Sequence, residues 1–561
     1  MKLLLALCFV SFAASAEPDR AARPGFDWAP VSLYAIQDRG RLKPFDTFAR
    51  ESLQFITGKT SWKGMSPPEV IFGWLINYEK EWDKEPFVKV AYQPLKKLLA
   101  LDPDRQFFSP AELRQNEALR AQVRDVMQKQ RRAEPLDEME KKIQQLQNQR
   151  ALLEATVAGQ TIAILPSPKA IDQPWLSLAS LTDRTAAEQL PPAQIEKLRT
   201  VVGKLINSYS EANAADWNQS STELAGLLSG ELGASGYPTA FSLKMERFYN
   251  HLRPFRWAWV GYLLALILLT VFLVAGKKQF RLLGLSALGL GFFIHTFGFG
   301  LRMIVSGRPP VTNMYESVIW VSWGCVLFSM IVGSSYKKAI IPAAASVFAI
   351  VALVLADTLP SVLDPTIQPL EPVLRSNFWL TIHVLTITLS YAAFALSLCL
   401  GNVVLGHFVF RPGKTETIQY ASLYMYRAVQ IGVVLLAAGT ILGGVWADAS
   451  WGRFWGWDPK EVWALIALLL YLAVLHGRYA GWLHAFGFSA CTVLCFLGVL
   501  MAWYGVNFVL GAGLHSYGFG TGGTGYVLGY TLLQLGFIGL AFHRYNRSGA
   551  RAKRAAIFPK S

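Results

Sequence analysis

Residues 446–463 read WADASWGRFWGWDPKEVW, which places five tryptophans, two aspartates and one arginine within eighteen residues. Indole rings supply broad, flat apolar area at low entropic cost, with one N–H each. Gly452 and Gly456 lie between them, and a glycine lets another flat object come close to the backbone. Arg453 and Lys460 can meet carboxylates, while Pro459 suits the first turn of a helix with Asp458 as its N-cap. A porphyrin, a flat apolar macrocycle carrying two propionates, meets these demands. Its iron would want axial nitrogens, for which neutral imidazole is well suited. His383 and His515, one on each side of the segment in sequence, are placed to supply both. The competing reading is an aromatic belt at a membrane interface. A belt accounts well for Trp446 or Trp463 and poorly for the whole run. A single histidine at a helix end is usually only hydrogen-bonded, so the ligand reading rests on two of them sharing one face.

The elements that must position these residues are membrane helices. Of 561 residues, 52% are hydrophobic and 16% charged, far from an ordinary soluble protein. Apolar spans fall near 256–275, 282–302, 317–334, 339–356, 380–405, 424–445, 461–477, 484–506 and 524–543, each long enough to cross ~30 Å of hydrocarbon. Residues 251–561 carry 22 Lys+Arg against 8 Asp+Glu, and residues 1–250 are nearly neutral at 31 against 30. The positive charge therefore belongs to the membrane half, where it orients helices against lipid headgroups and does not point to nucleic acid. With the first half outside, inner segments hold fifteen Lys+Arg and outer loops five, namely Arg302, Arg308, Arg375, Arg453 and Lys460. That is the bias the positive-inside rule expects. This topology puts 446–460 on the outer face, with His383 at the outer end of the fifth span and His515 in a glycine-rich outer loop.

The first sixteen residues, with Lys2, a short apolar core and an Ala-Ser-Ala ending, read as a secretory signal peptide. Residues 17–250 hold no apolar stretch of twenty and are expected to form a mainly helical extracytoplasmic domain. Within it, 118–157 reads as two charged amphipathic helices broken near Pro135. A turn at Lys43-Pro44-Phe45-Asp46-Thr47 leads into another helix, with Asp46 or Thr47 as its candidate N-cap. After the signal this domain has no cysteine; Cys325, Cys399, Cys491 and Cys495 fall in apolar spans, and no CxxC motif occurs. All eight histidines lie in residues 251–561. The fold class is thus all-α: a polytopic membrane protein of about nine transmembrane helices, residues 251–561, behind a helical exported domain.

The stretch WADASWGRFWGWDPKEVWALI resembles the tryptophan-rich WWD signature of the cytochrome c biogenesis membrane proteins that handle haem. Its WDPKE ending is closer to CcsA, also called ResC, than to CcmC or CcmF. RPPVTNMYES (308–317), FWLTIHVLTITLSYAAFALS (378–397) and GAGLHSYGF (511–519) resemble further motifs of that family, in order, over about 280–543. The signal peptide and exported region resemble variants in which an extra extracytoplasmic segment precedes the CcsA module. The resemblance implies that His383 and His515 are the external ligands of haem iron. It makes Trp451, Trp455, Trp457 and Asp458 the signature core and Trp446 its leading edge. It also implies that His476 is a transmembrane histidine holding haem on its way out. The partner of His476 belongs in that family to a CcsB (ResB) component, which is not recognised here. His295 is the internal substitute, with a hydrogen-bonded packing histidine as the other reading. His251, His407, His484 and His543, at span ends, take no role.

The function so implied is the haem-handling part of a cytochrome c synthase in a bacterial inner membrane. Haem b would be its substrate and the CxxCH segment of an apocytochrome c its acceptor. A CcsB-like subunit and a thiol-reducing thioredoxin-like protein would be partners, alongside membrane lipid. Holocytochrome c synthase (haem lyase) activity would use no nucleophile of this chain's own. Two alternatives stay open from the sequence: a haem exporter or chaperone without ligation activity, and a b-type electron-transfer subunit.

Overall fold

A computed structural model describes residues 23–167, 173–183, 185–232, 236–309, 311–336, 338–360, 362–369, 377–411, 415–511, 513, 515 and 523–547. The expected signal peptide, 1–16, lies outside the described residues. The chain divides into two compact units at His251 and Leu252.

The first unit is mainly helical with two small antiparallel strand pairs, the hairpin Ala35–Asp38 with Arg41–Pro44, and Val88–Lys89 with Phe107–Phe108. Its core buries Trp74, Trp82 and Trp217 completely, with Trp74 stacked on Phe87 at 5.1 Å. The two amphipathic helices run over Glu117–Arg131 and Glu138–Val157, on either side of Pro135. The second starts at a capping box of Asp137 and Glu140, and Lys129 pairs with Glu140 to tie it to the first. Leu119, Val126, Ile143, Leu146 and Leu153 face the core, and the charged residues face out. One expectation is corrected. Residues 35–44 form a hairpin, turned at Arg39 and Gly40 with φ of 51° and 75°, so the helix Phe45–Thr57 is preceded by Pro44 as its N-cap residue. Asp46 and Thr47 sit inside its first turn, where Thr47 accepts from Asn250 at 2.9 Å.

In the second unit nine helices among the described residues are long and apolar enough to cross a membrane. They are α1 (Pro254–Ala275), α2 (Lys278–Ser306), α3 (Met314–Tyr336), α4 (Ile340–Thr358), α5 (Asn377–Phe410), α6 (Thr415–Trp451), α7 (Pro459–Tyr479), α8 (Ala485–Leu500, continued in π geometry through Met501–Leu510) and α9 (Thr524–Arg547). Each expected span falls within one of them, except that residues 339 and 484 are the N-caps of α4 and α8. α1 and α2 pack closely because glycines stand where they cross: a Cβ on Gly261 would lie 2.9 Å from the Gly291 Cα, and one on Gly298 2.8 Å from Pro254. At the heart of α5, α6 and α7, Gly432 makes room for Phe394, which stacks on Tyr471 at 3.8 Å. Arg302 is not a loop residue, as the charge count supposed; it lies in α2, fully buried, and pairs with Glu316 of α3 at 2.7 Å. Its guanidinium also donates to the Pro365 carbonyl at 2.9 Å, and Glu316 accepts from Thr312 N and Oγ1 at 2.7 Å, so the pair is satisfied on both sides.

α5 and α6, at 34 and 37 residues, are the longest elements. A rise of 1.5 Å per residue makes them about 50 and 55 Å long, well beyond ~30 Å of hydrocarbon. Trp446 and Trp451 therefore ride on the last turns of α6 and not on a loop. The connecting segment to α7 is only 452–458.

Candidate functional site

At one end of this unit, the start of α5, the end of α6, the start of α7 and residue 515 come together. Trp446 is the centre, 1% exposed. Its ring lies 6.2 Å from that of His383 and nearly parallel, at 6°. It meets Trp451 edge-on at 4.6 Å and His515 at 5.8 Å, while Trp451 itself meets His515 edge-on at 4.9 Å. Trp379, one turn before His383, closes the apolar side of this cluster. Two histidines 132 positions apart in sequence thus share one indole.

The two imidazoles are each held by one nitrogen. His383 Nδ1 is 2.8 Å from the Gly439 carbonyl of α6, which can only accept, so Nδ1 carries the proton and donates. His515 Nδ1 is 2.9 Å from Asp458 Oδ1. In both, Nδ1–H is committed to the protein and Nε2 is left as the lone-pair nitrogen, the arrangement that fixes tautomer and ring orientation for an iron ligand. Close approach needs glycine again. A Cβ on Gly443 would stand 2.6 Å from His383 Cε1, and one on Gly513 (φ +96°) would strike the Asp458 carboxylate. The Trp446 Nε1 is buried and has no acceptor among the described residues.

Asp458 has a second task. As N-cap of α7 it accepts from Lys460 N at 3.0 Å, and Glu461 Oε2 answers by accepting from Asp458 N at 3.1 Å and Gly456 N at 2.8 Å. Arg453 reaches Glu461 at 3.6 Å and lies against the Trp451 ring. A Cβ on Gly456 would collide with that guanidinium. Lys460 Nζ donates to Asn507 of α8 at 3.3 Å. Trp455 and Trp457 do not join the buried cluster. They cross perpendicularly at 5.9 Å, and Trp457, at φ +58°, is 71% exposed. The segment is therefore two-tiered, a floor of buried Trp446 with partly buried Trp451, and a rim of partly buried Trp455 with exposed Trp457.

The other two expected residues lie apart. His476 is exposed near the end of α7, its Nδ1 donating to Leu472 O of its own helix at 2.8 Å. His295 is fully buried in α2, with Nδ1 3.1 Å from the Tyr262 hydroxyl and its ring stacked on Phe299 at 5.3 Å. Phe255 closes a further side. The helix bearing His295 packs on α1, that bearing His476 on α6 and α8, so the structure does not pair these two. Gly439, Gly443, Gly513, Glu461 and Trp379 are contributors that reading the sequence missed. Gly513 had a signal in its glycine-rich loop, and Glu461 one in its place three residues after the N-cap Asp458.

The family model described as cytochrome C assembly protein matches residues 311–515, from the start of α3 to the second histidine of the site. CcsA of a Synechococcus species, a cytochrome c biogenesis protein, is 35% identical over 255 residues, covering 39% of this chain and 78% of that protein. CcsA of Prochlorococcus marinus is likewise 35% identical, over 259 residues and 78% of its length. The chain belongs to the CcsA family of cytochrome c biogenesis proteins. It is also similar to NrfI of Wolinella succinogenes, at 31% identity over 501 residues. That match takes in 85% of this chain but 53% of the relative, so the chain spans about half of NrfI's length. Residues 252–561 make up little more than half of the chain, so the likeness to NrfI reaches well into the first unit. A solved chain titled cytochrome c haem lyase CcmF superposes at a TM-score of 0.37 and 16% identity, over 52% of this chain and 50% of that one. This CcsA-family chain is a multi-pass membrane protein.

Proposed function

We propose that this chain is the haem-handling component of a cytochrome c synthase, presenting haem b for attachment to an apocytochrome c. The observation that carries the reading is the pair His383 and His515, both touching Trp446 and both with Nδ1 engaged, so that each offers Nε2. Trp446 and Trp451 would give the macrocycle its apolar wall and Trp455 and Trp457 its rim. Arg453 and Lys460 are the cations this segment would offer to propionates. In the bacterial inner membrane this end would face the periplasm, where CxxCH segments arrive.

The protein's part in the reaction is positioning. His383 and His515 hold the iron, and the tryptophan surface fixes the edge that bears the vinyl groups. Each thiol of the CxxCH segment adds across one vinyl group: a sulfur–carbon bond forms, the hydrogen goes to the second vinyl carbon, and no oxidant is consumed. The histidine of the motif takes one axial position. The reacting thiols belong to the substrate, and a thioredoxin-like protein would keep them reduced. His476, exposed with its Nε2 unused, suits a haem shared with a CcsB-like membrane subunit; His295, closed in by aromatic rings, suits packing.

Two measurements test this. Haem absorbance of the purified chain should fall sharply in His383→Ala and in His515→Ala; unchanged absorbance in both would refute the ligand assignment. Co-expression with an apocytochrome c and a CcsB-like subunit should give covalent haem on the cytochrome. Haem at the site with no covalent product favours the exporter reading instead.

A further inference from the structure

The two imidazoles are held by partners of different charge. His383 donates to a backbone carbonyl, Gly439 O, whereas His515 donates to the carboxylate of Asp458, which is itself buried. A carboxylate behind an imidazole raises the basicity of the opposite nitrogen, and a neutral carbonyl does so far less. Asp458 cannot easily swing away, because it also starts α7 and Gly513 lies against it. We infer that Asp458 makes the two ligands unequal, His515 being the retained one and His383 the one exchanged for the histidine of the incoming CxxCH segment. This rests on the haem-site reading above.

The exchange is balanced. The Nε2 of the substrate histidine forms a bond to iron, the bond from His383 Nε2 breaks, both imidazoles stay neutral, and no proton or electron moves. Once released, His383 keeps its Nδ1–H bond to Gly439 and its place beside Trp446, so it is ready to bind again when product leaves. Asp458 is in this sense a positioning residue, acting on iron only through His515.

The test uses the full-length chain purified with haem in detergent. Loss of haem to excess apomyoglobin, the spectrum of the reduced form with carbon monoxide, and the reduction midpoint are read for His383→Ala, His515→Ala and Asp458→Asn. Asparagine keeps the size of Asp458 and caps helices as well, and thermal unfolding of each variant confirms that it folds. His383→Ala should retain on His515 more haem than His515→Ala retains, lose one axial ligand and take up carbon monoxide readily. His515→Ala should lose haem about 10-fold faster or more, on the scale of removing a metal ligand's supporting partner. Asp458→Asn should speed haem loss and raise the midpoint, since a less basic imidazole favours the ferric state less. Equal or better retention by His515→Ala than by His383→Ala overturns the inference while leaving the site standing. So does an unchanged midpoint in Asp458→Asn. If neither histidine substitution alters haem retention, the site reading fails and takes the inference with it.

Discussion

At the scale of single residues, the site depends as much on what is absent as on what is present. His383 fits between α5 and α6 because Gly443 has no side chain, and its Nδ1 acceptor is the carbonyl of another glycine four residues earlier. Gly443→Ala should therefore push the imidazole aside. Haem per protein is expected to fall toward the His383→Ala level with the unfolding temperature little changed. Trp446→Ala should cost about 3–5 kcal/mol, as large buried aromatic truncations do, and disturb both histidines; Trp446→Phe should retain most of the stability. Histidine identities and the Asp-Pro helix start were legible in the sequence, because those residue types are informative alone. The Gly439 carbonyl was not, since any residue offers a carbonyl and only the crossing of α5 with α6 selects this one. Nor was the hold of Asp458 on His515, which lies 57 residues away.

At the scale of elements, the apolar spans were readable because hydrocarbon thickness sets their length. Their ends were not. α6 runs six residues past the apolar stretch that ends at 445, since its backbone bonds continue to Gly452 N, which donates to the Asp448 carbonyl at 2.9 Å. The π stretch 501–510 left no mark in composition either, and the hairpin at 35–44 was hidden because Gln37, Asp38 and Arg41 do not look like strand residues. The buried Arg302–Glu316 pair joins α2 to α3. Glu316→Gln should cost about 3–5 kcal/mol by leaving a buried guanidinium unbalanced, read as a lower unfolding temperature in detergent. Arg302→Met with Glu316→Leu should recover much of that loss. In α2, Gly291→Leu should separate α1 from α2, since a Cβ there already stands 3.0 Å from the Tyr262 ring.

At the scale of the whole molecule, the residues of the proposed site lie in one unit and a separate, tryptophan-rich core in the other. Residues 23–251 expressed alone are expected to fold, giving a single cooperative transition and near-ultraviolet dichroism from packed indoles. Its pH response has a definite sign. Burial holds the Glu69 carboxyl above its ordinary value of 4.5, so the folded state binds that proton more tightly than the unfolded chain. The contribution is full below pH ~4.5 and is lost as pH rises through the raised value. Glu69→Gln should then raise the unfolding temperature at pH 7 more than at pH 4, and the reverse order would exclude this role for burial.

The order of the site's parts along the chain has a consequence for biosynthesis. A ribosome delivers His383 first, then Trp446, then Asp458, and His515 only when all but the last span has been made. A nascent chain stopped before residue 515 would offer one imidazole and a carboxylate with nothing to hold, and should not retain haem through a wash. Capture of the pigment would then mark a protein whose insertion is nearly finished, and half-inserted chains would stay colourless.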